Sequence, residues 1–446
     1  MKNFFTTLSN IWKIEDLRVR ITNTLLFLLI YRIGCVVVLP GVDPASLSSH
    51  QQEGILGLLN LFAGGAFQHA SIFALGVMPY ISASIVVQLL GIAVPYFAKL
   101  QKEGESGQNK INQWTRYLTI GITALQAIGY LKSQIGSDAR LIADPFFTVM
   151  NVFVLTSGTL FVMWLGERIT DKGIGNGISL IIMIGIIAAL PGAFGYEFAI
   201  RAGGQGGLIT FIAEIVIYIL IVMFTILIVQ GTRKIAVQYA KRIVGNKQYG
   251  GVRQYIPLKV NAAGVMPIIF AQALMFIPAY IPSLFPKIAS NATVMALANY
   301  TSWPHNLLFA VLIIVFTYFY TAITVNPNQM ADDMKKNGGF IPGVKPGRTT
   351  ANYIDDIISK ITLPGSIALA IIAILPPIAI SVGVGSSFAR FFGGTSLIIM
   401  VGVILDTLQQ IESHLLMRHY DGLMKTGRIK GRSSMPSGAS STSSVI

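Results

Sequence analysis

The chain has 446 residues, of which 53% are hydrophobic and only 12% are charged, and its mean hydropathy is +0.64. Water-soluble domains carry about 25% charged residues, so this composition excludes an ordinary soluble protein and indicates a membrane protein. The formal net charge of +14 favours contacts with anionic lipid, and acidic proteins or RNA are further candidate partners.

Ten apolar segments follow one another along the chain. A helix needs about 20 apolar residues to cross about 30 Å of hydrocarbon, and the fourth segment approaches that length only if its helix continues to Thr170. We therefore predict an all-α integral membrane protein with ten transmembrane helices. The predicted spans lie at 21–39, 76–96, 117–132, 151–166, 174–192, 210–230, 262–281, 306–325, 362–380 and 395–416.

Lys and Arg lie mostly in one set of loops. Loops on the cytosolic side of a membrane protein are enriched in these residues. Ten spans place both termini on one side, and that side holds 27 of the 33 Lys and Arg residues, whereas the opposite side holds five and Arg32 lies within the first span. We therefore expect both termini in the cytosol, as an N-terminal segment at 1–20 and a Ser-rich, partly disordered tail at 417–446.

A segment of unusual composition, FAGGAFQHASIFAL at residues 62–75, precedes the second span. A helix of this length would rise about 21 Å, which is less than the hydrocarbon thickness. Gly64 and Gly65 permit bends, and Gln68 and His69 suit a water-filled funnel better than lipid. Irregular or broken segments at membrane depth require protein or an aqueous cavity around them. We predict a re-entrant stopper, with a surface helix lying flat on the outer face as the alternative.

A glycine-rich external segment at 193–209 divides the spans into five plus five. The predicted halves are residues 21–192 and 210–416. Inverted repeats of this kind are typical of transport proteins. Two pseudo-symmetric five-helix halves are therefore expected from topology, without a residue-level repeat.

Two cytosolic loops, at 231–260 and 326–361, are longer than the other connections. The first carries seven basic residues and no acidic one, and the second is interrupted by three pairs of Gly and Pro or Gly and Gly. Loops of such length in a compact protein are usually functional. We expect the second loop to protrude and to lead into a helix before the ninth span.

No motif for catalysis, nucleotide binding or metal binding is found, so we expect neither an enzyme nor a cofactor. Charged residues in the spans are Arg32, Glu214, Asp406 and Glu412. Such residues are functional candidates because their burial costs several kcal/mol, but each can also pair or bind backbone carbonyls. A proton- or sodium-driven carrier needs a denser relay, so a secondary solute transporter with broken helices is the weaker alternative. An aliphatic constriction, by contrast, blocks ions by dewetting without any charge.

Six stretches of the chain are specific enough to compare with a known family. They are SIFALGVMPYISASIVVQLL (71–90), KEGESGQNKINQWTRY (102–117), MWLGERITDKGIGNGISLII (163–182), IPLKVNAAGVMPIIFA (256–271), NGGFIPGVKPGRTTANYIDDI (337–357) and GGTSLIIMVGVILD (393–406). These stretches resemble the SecY family, whose members are the central channel subunits of bacterial protein translocases. The resemblance covers about residues 15–432 and all ten spans in order. It implies a central hourglass pore in the cytoplasmic (inner) membrane that passes unfolded secretory polypeptides and releases transmembrane segments sideways into lipid.

The resemblance also implies roles for individual residues. The plug of the family, a short helix, matches about 62–75, with Phe62, Gly64, Gly65, Phe67, Ser71, Ile72 and Phe73. The pore ring matches Val77, Ile81, Ile178, Ile182, Ile269 and Ile399. The lateral gate lies between spans 2–3 and 7–8, where Ser82, Gln88, Asn176 and Asn261 either bond across the gate or serve helix packing. The hinge between the halves matches the external glycine-rich segment.

The two cytosolic loops would then dock the SecA motor ATPase and the ribosome. Basic side chains there could bind acidic surfaces or RNA phosphates. Lys345 stands where the family usually has Arg, so either a point charge suffices or Arg348 takes over. Other implied partners are the small subunits SecE and SecG, signal sequences and nascent chains. The docking residues are Arg233, Lys234, Lys241, Arg242, Lys247, Arg253, Lys345 and Arg348.

Overall fold

A computed structural model of the chain describes Trp12 and residues 14–43, 60–136, 139–203, 207–239, 242–244, 247–249, 253–284, 292–299 and 301–425. The helices are α1 (Glu15–Gly34), α2 (Met78–Ala93), α3 (Pro95–Lys102), α4 (Glu105–Gln134), α5 (Phe146–Lys172), α6 (Gly177–Ala202), α7 (Gly207–Gln230), α8 (Met266–Leu284), α9 (Ala292–Ala298), α10 (Trp303–Thr324), α11 (Pro327–Lys336), α12 (Arg348–Ser381), α13 (Ser386–Ala389) and α14 (Gly394–Lys425). The strands are β1 (Thr232–Tyr239), β2 (Arg242–Val244), β3 (Lys247–Tyr249), β4 (Arg253–Lys259) and β5 (Gly339–Phe340).

Each of the ten predicted spans falls on a helix of the described part. Six of these helices are long and apolar enough to cross a membrane, namely α5, α6, α7, α10 continued by α11, α12 and α14, and the bent pair α2–α3 adds a seventh. The other three predicted spans lie on α1, α4 and α8. The first turns of α1 and α4 are polar, and the apolar stretch described in α8, Met266–Met275, is short. Their crossing of the membrane therefore stays a prediction.

The second span ends earlier than its predicted boundary. The helix α2 stops at Ala93, and α3 begins at Pro95 with a change of direction of 102°. A residue before proline avoids the helical conformation, and Val94 is accordingly extended, with φ −113° and ψ 119°. The chain therefore turns sharply at this point, and much of the connection between the second and third spans is helical.

The external loop predicted at 193–209 is much shorter in the structure. The helix α6 continues past Pro191 to Ala202, and α7 begins at Gly207. The boundary of the first half at residue 192 therefore falls inside a helix. Glycine content suggested a flexible connection here, but tertiary contacts stabilise the additional helical turns.

These contacts form an ionic cluster made by Glu197, Arg201 and Glu214, which we name the outer ionic cluster because it lies at the segment predicted to be external. The Arg201 Nε atom lies 3.0 Å from Glu197 Oε1, and its Nη2 atom donates to Glu214 Oε1 and to the Gly383 carbonyl oxygen, each at 2.6 Å. The Gly385 N–H donates to the second oxygen of Glu197 at 3.1 Å. The two carboxylates are almost fully buried. The cluster therefore fastens the end of α6 to α7 and to the turn after α12.

The two long loops that were predicted to be cytosolic contain β-strands, which the all-α prediction did not include. The strand β1 pairs antiparallel with β4 on one side and with β5 on the other, and β2 and β3 form a separate two-stranded pair. The 231–260 and 326–361 loops therefore share one sheet. A small hydrophobic core that includes Val237, Met334 and Ile354 lies against it. The helix expected before the ninth span is confirmed, because α12 runs unbroken through both.

The largest hydrophobic cluster of the described residues lies at the centre of the helices. It contains side chains from α1, the 62–75 segment, α2, α4, α5, α6, α8, α10, α12 and α14. Helices distant in sequence therefore meet around the segment that the sequence marks as unusual.

Removal of the guanidinium from the outer ionic cluster should destabilise the protein. The substitution Arg201→Met leaves Glu197 and Glu214 buried without their cation, and breaking a buried pair in this way costs about 3–5 kcal/mol. Thermal unfolding of the purified protein in detergent, followed by tryptophan fluorescence, should show a clearly lower midpoint.

The matched control is Lys360→Met. Lys360 pairs with Asp356 in an exposed position, where an ion pair contributes about 0–1 kcal/mol. Equal midpoints for the two variants would contradict a stabilising role for the outer ionic cluster.

Candidate functional site

The segment predicted as a stopper is buried inside the central hydrophobic cluster. Phe62, Phe67, Ser71 and Phe73 are between 0 and 7% exposed, Gly64 is buried, and Gly65 and Ile72 are partly buried. By contrast, Gln68 and His69 are exposed. The alternative of a helix lying flat on the outer surface is therefore wrong, whereas the burial supports a re-entrant segment.

The same segment is not the regular helix that the resemblance implies. Residues 60–62 are helical, and the following residues form a succession of turns up to residue 77. The backbone takes positive φ values at Gly64 (65°), Gly65 (89°), Ala70 (44°) and Gly76 (53°). A right-handed helix cannot pass through this region of φ, so these residues interrupt it.

Glycines on three surrounding helices allow the segment to pack closely. A Cβ atom at Gly34 of α1 would overlap the Phe73 ring, and one at Gly158 of α5 would overlap the Ile72 carbonyl oxygen. A Cβ atom at Gly185 of α6 would lie 3.0 Å from the backbone nitrogen of Gly64. The absence of side chains at these three glycines thus permits the segment to approach the backbones of the surrounding helices directly.

Side chains on and next to two helices donate hydrogen bonds to backbone carbonyls of the segment. The donors are a phenol and a guanidinium on α1, the Cys35 thiol directly after α1, and a phenol on α4. The bonds join Tyr31 Oη to the Ala63 oxygen at 3.2 Å, Arg32 Nη1 to the Gly64 oxygen at 2.7 Å, Cys35 Sγ to the Ala63 oxygen at 3.7 Å, and Tyr130 Oη to the Phe67 oxygen at 2.8 Å. Sequence reasoning assigned these donors no role in the segment, although the position of Arg32 within a predicted span marked it as a candidate.

Four of the six predicted ring residues line one cavity of about 300 Å³. They are Ile81 of α2, Ile178 and Ile182 of α6, and Ile269 of α8. The other two, Val77 and Ile399, do not line the cavity but belong to the same central hydrophobic cluster, where they are 3% and 1% exposed. The structure therefore brings the predicted ring together as part of an apolar core.

The cavity and the 62–75 segment contact α6 at neighbouring positions along the helix. Asn176 and Ile182 line the cavity, and Gly185, about one turn further along, contacts Gly64 of the segment. Three residues of helix correspond to about 4.5 Å. The 62–75 segment therefore lies close to the isoleucines that line the cavity. We name these residues, Ile81, Ile178, Ile182 and Ile269, the aliphatic layer.

Polar residues that sequence reasoning missed line the rest of this cavity. Gln108, Asn112 and Thr115 of α4 are spaced four and three residues apart, so they share one helix face. This polar stripe at the start of an apolar helix is a pattern that could have been recognised. The missed polar lining residues are Ser84, Gln101, Gln108, Asn112, Thr115 and Ser179.

The four predicted gate residues do not bond one another. Among them, Gln88 and Asn176 line the cavity and the other two do not. Their hydrogen bonds in the described part of the chain are local and serve helix geometry. Ser82 donates to the Met78 oxygen, Gln88 to Ser84, and Asn261 to the Gly264 oxygen, whereas Asn176 accepts from the N–H groups of Ile178 and Ser179 at the start of α6.

The predicted docking residues lie on the shared sheet and beside it. Their described side chains are exposed, which leaves their charges available to a partner. Arg233 and Lys234 are on β1, Arg253 is on β4, Arg348 is the first residue of α12, and Lys345 lies three residues before it. Arg242 and Lys247 belong to the β2–β3 pair, but their side chains and all of Lys241 lie outside the described residues.

These features define a class of protein: a multi-pass helical membrane protein in which a buried, irregular segment packs close to aliphatic side chains that line a partly polar cavity. The chain belongs to the SecY family, because a sequence profile of that family matches residues 71–408. The resemblance stated from the sequence is thereby confirmed.

Curated relatives agree over nearly the full length. The chain is 45% identical over 437 residues to the protein translocase subunit SecY of Mycobacterium bovis, with 92% of this chain and 97% of that protein covered. It is 43% identical over 439 residues to the protein translocase subunit SecY of Streptomyces coelicolor, with coverage of 94% and 100%.

Solved structures share the fold. One described as a protein conducting channel matches with a TM-score of 0.66 and 17% identity, and covers 89% of this chain and 92% of that chain. Another, of a SecY protein whose plug domain stabilises the closed state, gives 0.61 and 18%, and Sec61 in the canine ribosome-channel complex gives 0.62 and 16%, each at the same coverage of 89% and 92%. At these identities the likeness establishes the fold alone.

A methyl group at Gly158 should displace the buried segment. The substitution Gly158→Ala places the new Cβ atom against the Ile72 carbonyl oxygen, and overpacking of this kind costs about 1–3 kcal/mol. We expect labelling of a Ser71→Cys variant by a thiol reagent, with Cys35 replaced by Ser, to accelerate about 5- to 100-fold.

The control for this experiment is Gly129→Ala. Gly129 lies in α4, and a Cβ atom there would have no neighbour within 4 Å, so the labelling rate should not change. An unchanged rate in Gly158→Ala as well would show that the segment is not confined by this contact.

Proposed function

We propose that the chain is the pore subunit of a protein translocase, a passive channel for unfolded secretory polypeptides. The observation that carries this proposal is the close packing of a buried segment, held among glycines, next to isoleucines that line a partly polar cavity, in a member of the SecY family. The protein is a channel and not an enzyme, so a partner must supply the energy for secretion.

The aliphatic layer acts as the seal. Narrow apolar constrictions dewet and so block ions without bearing any charge. Branched aliphatic side chains make no hydrogen bonds to a passing polypeptide, which allows them to yield to many sequences. The plug segment, residues 62–75, covers the layer while the channel is at rest and leaves when a polypeptide enters.

Entry to the bilayer is through a lateral gate between α2 and α8. Both helices contribute to the wall of the internal cavity, through Ile81 and Gln88 on one side and Ile269 and Phe270 on the other. A signal sequence or a nascent span wedges between them, and the halves part at the α6–α7 connection. Apolar segments then partition into lipid, since leucine-like residues contribute about −0.5 kcal/mol each and central charges cost about +3 kcal/mol.

The channel is a ten-span protein of the cytoplasmic (inner) membrane with both termini in the cytosol. The asymmetry of Lys and Arg between the two sides supports this orientation. On this arrangement α1, α4 and α8 complete the ten spans, and anionic lipid contacts the basic loops on the cytosolic face.

The shared cytosolic sheet is the docking surface for large partners. Exposed basic side chains on β1, β4 and the start of α12 suit acidic protein surfaces and RNA phosphates. The SecA motor and the ribosome bind there, and SecE and SecG complete the channel. The ribosome complex of the structurally similar Sec61 supports the ribosomal part of this proposal.

Reconstitution tests the channel directly. Liposomes that contain the purified protein, its small subunits and the motor ATPase should import a secretory precursor when ATP is added, and they should show no ion-coupled solute uptake. Solute uptake without precursor import would favour the transporter alternative and contradict the proposal.

Loss of aliphatic bulk from the layer should make the resting channel leak. The double substitution Ile182→Gly with Ile269→Gly removes two side chains that line the cavity, so the constriction widens and becomes wet. Resting ion conductance in planar bilayers should rise. The control Ile217→Gly removes an exposed side chain of α7 and should not change it, and a tight seal in the double variant would refute the role of the layer.

Charge reversal on the shared sheet should weaken partner binding. In Arg253→Glu and Lys345→Glu, repulsion replaces attraction to acidic or phosphate-bearing partners, most strongly at low salt. Affinity for the motor and for ribosomes, measured by co-sedimentation, should fall at low salt. Lys360→Glu, an equally exposed change further along α12, serves as the control. A fall of the same size there would indicate non-specific electrostatics.

A further inference from the structure

We infer that Arg32 is the residue that holds the plug segment closed, through a charge-assisted hydrogen bond to the backbone of Gly64. This inference rests on the proposed function, in which the segment acts as a plug. The Arg32 Nη1 atom lies 2.7 Å from the Gly64 carbonyl oxygen. Among the residues that the structure describes, no carboxylate forms an ion pair with Arg32. The guanidinium of Arg32, which lies in a predicted span, therefore has its hydrogen-bond acceptor in the plug itself.

The conformation of Gly64 suits this bond. Its φ of 65° takes the backbone out of the helical region, and in the described part of the chain no backbone N–H donates to its carbonyl oxygen. A Cβ atom there would lie 2.8 Å from Arg32 Nη1 and 3.1 Å from the Gly185 Cα atom. Only glycine therefore permits the chain to present this carbonyl to the guanidinium at so close an approach.

Arg32 is the strongest of several donors to the plug backbone. Tyr31 and Tyr130 donate neutral hydrogen bonds, whereas bonds from an ionised donor are about twice as strong. These three donors bind carbonyl oxygens, so they hold the path of the backbone and not particular plug side chains. When the plug leaves, the phenols lose neutral bonds, but the guanidinium loses the carbonyl that compensates its charge.

A general structural role is the competing explanation for Arg32. It lies in the last turn of α1, where a cation interacts favourably with the helix dipole. That interaction depends on α1 alone and persists whether or not the plug is present. The two explanations therefore differ in what happens when the plug is deleted.

The experiment compares Arg32→Met in the full chain and in a chain that lacks residues 62–75. In the full chain, loss of the charged hydrogen bond should increase resting ion conductance about 10- to 100-fold. The variant should also import a precursor with a defective signal sequence more efficiently. Arg32→Lys should restore part of the closure, and Tyr31→Phe should show a smaller increase than Arg32→Met.

In the chain without residues 62–75, Arg32→Met should cause no further increase in conductance, because the two changes act on one contact. A further increase in that background would assign Arg32 a structural role and overturn the inference. A leak in the deletion chain together with a tight Arg32→Met channel would overturn it as well. No leak in the deletion chain would instead refute the plug role of residues 62–75, and the aliphatic layer alone would then account for the closed channel.

Arg32→Gln provides a second variant if Arg32→Met fails to fold. It removes the charge but keeps a donor, so conductance should be intermediate between the wild type and the deletion chain. Faster thiol labelling of Ser71→Cys in the Arg32→Gln channel, with Cys35 replaced by Ser, would report the same release without any current measurement. A labelling rate equal to that of the parent would count against the bond.

Discussion

Backbone N–H and C=O groups at membrane depth must find partners inside the protein, because lipid offers none. The plug segment violates the usual solution, since turns and positive φ values interrupt its helix. The structure compensates with side-chain donors on α1 and α4 that reach its carbonyls, and with glycines on three helices that admit its backbone. The surrounding helices therefore supply both the hydrogen-bond donors and the space that one irregular stretch of chain requires.

On the proposed function, the closure combines two elements that fail in different ways. Aliphatic side chains exclude ions because a narrow apolar constriction dewets, and this effect does not depend on a particular side-chain geometry. The plug depends on specific hydrogen bonds and on close backbone contact, so small displacements remove its contribution. Because Ile182 and Gly185 lie less than one turn apart on α6, both elements share the same helix, and a movement of α6 affects them together.

Hydropathy alone placed each predicted span on a helix of the described residues, seven of which are long and apolar enough to cross a membrane when the bent pair is counted as one, because hydropathy depends on local composition. The orientation suggested by charge asymmetry stays a prediction. The ring residues came only from family resemblance, because an isoleucine that lines a pore looks in sequence like one that faces lipid. The sheet was missed because β5 pairs with a strand about 100 residues earlier. The length of α6 was missed because the outer ionic cluster that stabilises it joins Arg201 to Glu214 and Gly383. The prediction of a regular plug helix was wrong, because positive φ values within the segment interrupt the helix whatever its apolar character.

The strand pairing between the two cytosolic loops has a mechanical consequence. Gln238 and Tyr239 are bonded to Phe340 and Gly339, and eight residues beyond Phe340 the chain enters α12, whose 34 residues extend about 50 Å. A force applied to either loop therefore acts on both loops and is transmitted along the helix α12. On the proposed function, a motor that binds only one of the two loops would still apply force to the helices that follow the other.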